Sequence, residues 1–131
     1  MRRQALVILM IAALHGACGV ALTAVAAHTE TSSSLATAGR FLEIHAAAAA
    51  GLAGVLLELR PQGRAFVFIV FALQAGVTLF SGGLTLSAVL QQQLVSYVAP
   101  IGGSITILAW TALAVWTALA LLRTRGGGAD D

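Results

Sequence analysis

The sequence predicts an all-α integral membrane protein, a bundle of four membrane-spanning helices with both termini on the cytoplasmic side. The 131 residues are 59% hydrophobic and only 9% charged, whereas about a quarter of the residues in a soluble domain are charged. Four long apolar runs alternate with short polar segments, and each run has the roughly 20 residues needed to cross about 30 Å of hydrocarbon. We expect one membrane domain over residues 1–131.

Two apolar runs in the first half of the chain predict helices over residues 4–27 and 35–59. The first run follows Met1-Arg2-Arg3 and ends at a polar stretch that begins with His28. It is longer than the apolar core of a secretory signal, which has about 7–15 residues, and this favours a retained membrane helix. Because Ala24-Val25-Ala26 has signal-peptidase features, cleavage of the first helix stays open as an alternative.

Two further runs predict helices over residues 65–90 and 95–122. The turn before the third helix combines charge, proline and glycine in residues 60–64, and three glutamines at 91–93 mark the next turn. Pro100 fits the first turn of the fourth helix, where its missing N–H costs no hydrogen bond, although it could also leave a local break. The glycine-rich and acidic tail, residues 123–131, is predicted to be disordered.

The arginines predict the orientation of the bundle in the membrane. The chain has seven arginines and no lysine. With four spans, only Arg40 falls on one side of the membrane and the other arginines share the opposite side: Arg2, Arg3, Arg60, Arg64, Arg123 and Arg125. Because Lys and Arg in short loops mark the cytoplasmic side, this segregation places both termini in the cytoplasm. The scattered arginines form no basic stripe, so we expect no nucleic-acid partner.

Five ionisable residues are the candidates for a ligand or proton-relay site: His15, His28, Arg40, Glu43 and His45. An ionisable group inside a bilayer is costly, and it is therefore a functional candidate by default. The last four residues lie near the outer loop, and the spacing of Arg40 and Glu43 allows an ion pair on one helix face. They predict either a polar cap that anchors the loop, or a proton relay or anionic-ligand site.

The same residues argue against a metal or haem group. His28, Glu43 and His45 could supply at most three metal ligands. His15 and His45 differ in predicted depth by about 8 Å at 1.5 Å per residue, which is a poor match for two axial haem ligands. The sequence contains no nucleophile elbow, phosphate loop, HExxH motif or CxxC pair. We therefore expect no cofactor and no enzymatic activity.

Small residues in every predicted helix favour close helix packing. In the second half of the chain the candidate packing positions are Ser81, Gly82, Gly83, Pro100, Gly102, Gly103 and Trp110. Gln74 is a lone polar group in the third predicted helix and needs an interhelical hydrogen bond.

Several of these segments resemble a known family. Residues 79–84, with the sequence LFSGGL, and residues 99–103, with the sequence APIGG, are followed by Trp110. Together with the pairs Ala27-His28 and His45-Ala46, they resemble the small four-helix membrane proteins of the domain of unknown function 423 family, which are similar to transmembrane protein 256. The resemblance covers nearly the whole chain. It implies a four-helix protein of the bacterial inner membrane, and it implies no activity, substrate or cofactor.

The leading functional hypothesis is a non-enzymatic accessory or stabilising subunit of a larger membrane complex, such as a respiratory one. Little soluble mass and small residues on all four helices favour this interpretation. A small transporter or channel component is one alternative, with a polar path lined by His15, Gln74, His28, Arg40, Glu43 and His45. A quinone-binding or lipid-binding protein is the other. The expected partners are the lipid bilayer and other membrane subunits or a second copy of the chain.

Overall fold

The computed structural model describes residues 1–28, 33–58, 64–90 and 97–126. It is all-α, with α1 at Arg2–His28, α2 at Ser33–Glu58, α3 at Arg64–Leu90 and α4 at Val98–Gly126. Each of the four helices is long and apolar enough to cross a membrane. The predictions of an all-α four-helix bundle and of a multi-pass membrane protein are confirmed.

The first three helices begin and end within about two residues of their predicted bounds, and the fourth differs more. It begins at Val98 with Pro100 in its first turn, where no intrahelical N–H bond is required. The amide of Ile101 donates to the carbonyl of Tyr97 at 3.3 Å, so backbone bonding starts directly after the proline. The helix continues to Gly126, so residues 123–126 of the predicted tail are helical. The rest of the tail and the turns at 60–63 and 91–93 lie outside the described residues.

The four helices pack as antiparallel neighbours in chain order, and α1 also contacts α3. One end of the bundle carries Arg2, Arg3, Arg64 and Arg123, and we call it the arginine-rich end. Its core is formed by buried side chains of three helices: Ala5, Ile8, Ala12, Ala49, Ala53, Leu56, Phe66, Val67 and Val70. Leu113 and Trp116 of α4 pack against this cluster and close the bundle. All four helices therefore meet at the arginine-rich end.

Two close helix crossings hold the helices together in pairs. A Cβ atom on Gly39 of α2 would lie 2.8 Å from the carbonyl oxygen of Gly19 in α1. At the second crossing, a Cβ atom on Gly76 of α3 would lie 2.9 Å from the carbonyl oxygen of Gly102 in α4. Because membrane helices associate mainly by packing, such backbone contacts need a residue without a side chain. The sequence places glycine where each pair of helices touches.

Candidate functional site

A row of polar side chains runs along α3 on the side that faces α1. It consists of Gln74, Thr78, Ser81 and Thr85, spaced four, three and four residues apart and therefore on one helix face. We call these four residues the polar seam. The side-chain amide of Gln74 donates to the backbone carbonyl of Ile8 in α1 at 3.0 Å. Gln74 thus has the interhelical hydrogen bond that the sequence requires of it.

His15 lies near the middle of α1 and bonds to the polar seam. The hydroxyl of Thr78 donates to the carbonyl of Gln74 at 2.9 Å. A threonine hydroxyl has a single hydrogen, so its oxygen accepts from Nε2–H of His15, also at 2.9 Å. This arrangement places a hydrogen on Nε2, and in the neutral ring it is the single ring hydrogen. The other ring nitrogen, Nδ1, is then a bare acceptor.

Two polar atoms, one in the polar seam and one in the histidine bonded to it, are buried and have no hydrogen-bond partner among the described residues. They are Nδ1 of His15 and the hydroxyl oxygen of Ser81. The two side chains are 7% and 1% exposed, respectively. An unsatisfied buried polar group costs about 1–3 kcal/mol. Two such groups in one part of a small bundle therefore require an explanation.

A lateral pocket of about 410 Å³ contains both side chains in its wall. It lies between α1 and α3, with one residue of α2 behind it, and its lining is mostly apolar. The lining residues are His15, Cys18, Ala21, Leu22, Leu42, Thr78, Ser81, Gly82, Thr85 and Leu86. Cys18, Ala21 and Leu86 are exposed and Leu42 is buried, so the pocket opens sideways towards the lipid. Its volume lies within the range of small-molecule sites, about 300–1,000 Å³.

Glu43 belongs to the crossing of α1 and α2. The hydroxyl of Thr23 donates to Oε1 of its carboxylate at 2.9 Å, and a Cβ atom on Gly19 would lie 2.8 Å from Cγ of Glu43. Arg40, three residues earlier, is exposed and makes no ion pair with any residue that the structure describes. The acid is therefore held by a neighbouring helix and not by the arginine on its own helix.

His45 connects α2 to α4. The indole nitrogen of Trp110 can only donate, so it donates to Nε2 of His45 at 3.3 Å. The opposite ring nitrogen, Nδ1, carries the hydrogen and donates to the carbonyl of Phe41 at 2.8 Å. The ring of Phe41 packs on His45 at 4.2 Å and on Phe80 of α3 at 4.3 Å between centroids. His45 therefore has partners at both nitrogens and joins α2 to α4, and Phe41 beside it joins α2 to α3.

The structure separates the five ionisable residues that the sequence groups near one loop or along one path. Glu43 lies against α1 and His45 against α4, because residues two apart on a helix point to nearly opposite sides. His28 is exposed at the end of α1, and His15 bonds to Thr78 of the polar seam. Among the described residues, no three His, Cys, Asp or Glu side chains are close enough to hold a metal ion. The roles of these residues stay predictions.

The candidate packing positions differ in what they touch. A Cβ atom on Gly83 would lie 2.8 Å from the backbone nitrogen of Ala99. Gly103 faces the ring of Phe80, whereas Gly82 has no heavy atom of the described residues within 4 Å of its Cβ position. Gly83 and Gly103 therefore contact the facing helix, and Gly82 borders the pocket.

Sequence reasoning missed Thr23, Thr78 and Thr85. The signal for Thr78 and Thr85 was present, since both continue the helical spacing of Gln74 and Ser81. The hydrogen bond between Thr23 and Glu43 depends on which residues of α1 and α2 lie at the same level where the helices cross. This alignment cannot be read from the sequence.

The fold and these contacts define a small multi-pass helical membrane protein. A family model described as a protein of unknown function, DUF423, matches residues 15–103. This range is 89 of 131 residues, and the chain belongs to that family. The match confirms the resemblance drawn from the sequence motifs. It includes the polar seam, the pocket and the glycines of both crossings, and it ends before Trp110. No curated protein and no solved structure gave a match.

Proposed function

We propose that this chain is a non-catalytic accessory subunit of a larger membrane complex and joins it by packing one helix face against a partner helix. The observation that supports this function is the outward face of α2. It is formed by Arg40, Ile44, Ala47, Gly51 and Gly54, which are all exposed and share one side of the helix. We call these five residues the open face of α2.

The small residues of the open face match those that pack helices elsewhere in the chain. Gly39 and Gly76 each admit the backbone of a neighbouring helix. At Gly51 and Gly54, in contrast, no heavy atom of the described residues lies within 4 Å of the Cβ position. Glycine inside a helix costs about 1 kcal/mol relative to alanine, so two glycines on one face need a compensating contact. A partner helix that approaches closely provides that contact.

Arg40 supports a partner of complementary charge. It lies on the open face, about 10 Å along the helix axis from Ser33, the first residue of α2, at a rise of 1.5 Å per residue. A charged side chain at this depth is stabilised by an acidic partner, and a guanidinium binds a carboxylate through two hydrogen bonds. We therefore propose a partner helix with small residues in its middle and an aspartate or glutamate near the level of Arg40.

The test is purification of the tagged chain from native membranes at native expression level, in a mild detergent, with quantitative mass spectrometry. We expect one membrane protein to co-purify in a fixed ratio and to fall about tenfold, the equivalent of about 1.4 kcal/mol, in the double variant Gly51→Leu, Gly54→Leu. The control is the double variant Ala13→Leu, Ala24→Leu on exposed positions of α1. Recovery of the chain without a stoichiometric partner, or an unchanged partner in the α2 variant, would refute the proposal.

We further propose that the arginine-rich end faces the cytoplasm of a bacterial inner membrane. The positive-inside rule and the grouping of the described arginines at one end of the bundle support this orientation. Alkaline phosphatase fused after Asp131 is expected to be inactive, whereas the same enzyme fused after Leu90 is expected to be active outside the cytoplasm. The opposite pattern would reverse the orientation.

A further inference from the structure

The lateral pocket between α1 and α3 has an apolar lining, and its wall contains two polar atoms that have no hydrogen-bond partner among the described residues. His15 supplies a bare acceptor at Nδ1, and Ser81 supplies a hydroxyl that can donate or accept. Both residues belong to the pocket wall. A ligand that offers a hydroxyl group satisfies both, because that hydroxyl donates to Nδ1 while its oxygen accepts from Ser81.

The depth of the pocket restricts the kind of ligand. His15 lies about 20 Å along the helix axis from the first residue of α1, and the whole helix is roughly 40 Å long. His15 is therefore near the middle of the bilayer. The charged head group of a phospholipid stays at the membrane surface and does not reach this level. The ligand is therefore a molecule whose polar group is neutral and reaches the membrane interior.

We propose that this pocket binds the reduced head group of a membrane quinol, which enters sideways from the lipid between α1 and α3. The ring and the first isoprenoid units occupy the apolar volume beside Leu42 and Leu86. One ring hydroxyl donates to Nδ1 of His15 and accepts from Ser81. Both atoms are buried in residues of the pocket wall, and rotation of Ser81 between staggered χ1 positions turns its hydroxyl towards the ligand.

The hydrogen-bond pattern predicts a preference between the two redox forms. A quinol has hydroxyl hydrogens for the bare acceptor of His15, whereas a quinone has only carbonyl acceptors and leaves that nitrogen unsatisfied. We expect ubiquinol-1 to bind about tenfold more tightly than ubiquinone-1, which corresponds to one unsatisfied buried group. This site is independent of the open face of α2, because the two lie on different sides of the bundle.

The experiment is anaerobic equilibrium dialysis of the full chain, in mild detergent, against ubiquinol-1 and ubiquinone-1. The blocking variant is Gly82→Leu, since Gly82 lines the pocket and its Cβ position is free of neighbours among the described residues. It is expected to fold normally and to lose about tenfold or more in ubiquinol-1 affinity. Ala13→Leu is the matched control, because that residue is exposed on α1 and lies outside the pocket. It is expected to bind ubiquinol-1 like the wild type.

Two substitutions of His15 separate a ligand contact from a structural role. In His15→Gln the amide nitrogen takes the place of Nε2 and keeps the bond to Thr78, but the acceptor at Nδ1 is lost. In His15→Asn the side-chain oxygen takes the place of Nδ1, and the bond to Thr78 is lost. We expect ubiquinol-1 binding to fall about tenfold in the glutamine variant and to stay close to the wild-type value in the asparagine variant. The reverse order would overturn the role of His15 as the ligand's acceptor.

Several other results of these binding experiments would overturn the proposal. Absence of saturable ubiquinol-1 binding, or unchanged binding in Gly82→Leu, would overturn it. Tighter binding of ubiquinone-1 would overturn the preference for the reduced form and with it the hydrogen-bond argument. A phospholipid that is still recovered by organic-solvent extraction of the chain after saturation with ubiquinol-1 would assign the pocket to an acyl chain and overturn the proposal. Partner recovery in Gly82→Leu should equal that of the wild type, so failure here is distinct from failure of the subunit proposal.

Discussion

Replacing Gly76 by alanine is expected to destabilise the chain by about 3 kcal/mol, the upper end of the usual cost of overpacking. The added Cβ atom would lie 2.6 Å from Oγ1 and 2.8 Å from the backbone nitrogen of Thr106, and 2.9 Å from the carbonyl oxygen of Gly102. Two of these three atoms belong to a helix backbone, which cannot rotate away as a flexible side chain can. The substitution therefore forces α3 and α4 apart.

The control for Gly76→Ala is Gly54→Ala. The second variant adds the same methyl group at an exposed glycine without neighbours among the described residues, and it gains helix propensity of up to about 1 kcal/mol. Unfolding by sodium dodecyl sulfate in mixed micelles, followed by circular dichroism, gives both free energies. Equal stability of the two variants would contradict the observed crossing.

Replacing Phe66 by alanine is expected to cost about 3 kcal/mol, within the range for emptying a packed aromatic site. The side chain is 1% exposed and lies in the core at the arginine-rich end, beside Ile8 and Leu56. Its ring packs on Trp116 of α4 with centroids 5.0 Å apart. In a membrane the cost comes from lost packing contacts, because lipid tails are as apolar as the core.

Phe68→Ala is the matched control for that prediction. Phe68 lies two residues further along α3 and is 74% exposed, so lipid fills the space that its side chain leaves. We expect its free energy of unfolding to stay within about 0.5 kcal/mol of the wild-type value, as for most surface substitutions. A Phe68 effect as large as that of Phe66 would contradict the claim that lost packing contacts inside the bundle set the cost.

The fold could be predicted from the sequence because bilayer crossing imposes a strict rule on composition and length. About 20 apolar residues per helix, with polar turns between them, gave four helices whose first three bounds differ by about two residues from the structure. The fourth helix was harder to bound. Residues 123–125 are polar, and hydropathy does not detect a helix that extends beyond the apolar run.

The candidate site was less accessible to sequence reasoning. The sequence indicates His15 and Gln74 as polar groups inside the membrane, and both lie where α1 meets α3. Their connection through Thr78 depends on the relative rotation and depth of two helices that are far apart in the chain. The link between His45 and Trp110 has the same origin, since 65 residues separate the two side chains. Helical spacing alone could have shown that Glu43 and His45 face different ways.

The most direct test of the subunit proposal is photocrosslinking in living cells from Ile44 on the open face of α2. A diazirine amino acid replaces either Ile44 or, as the control, Ile107 of α4, and the two side chains are 67% and 68% exposed. We expect a discrete protein adduct from position 44 and lipid adducts alone from position 107. Lipid adducts alone from both positions would contradict the proposal that α2 binds a partner helix.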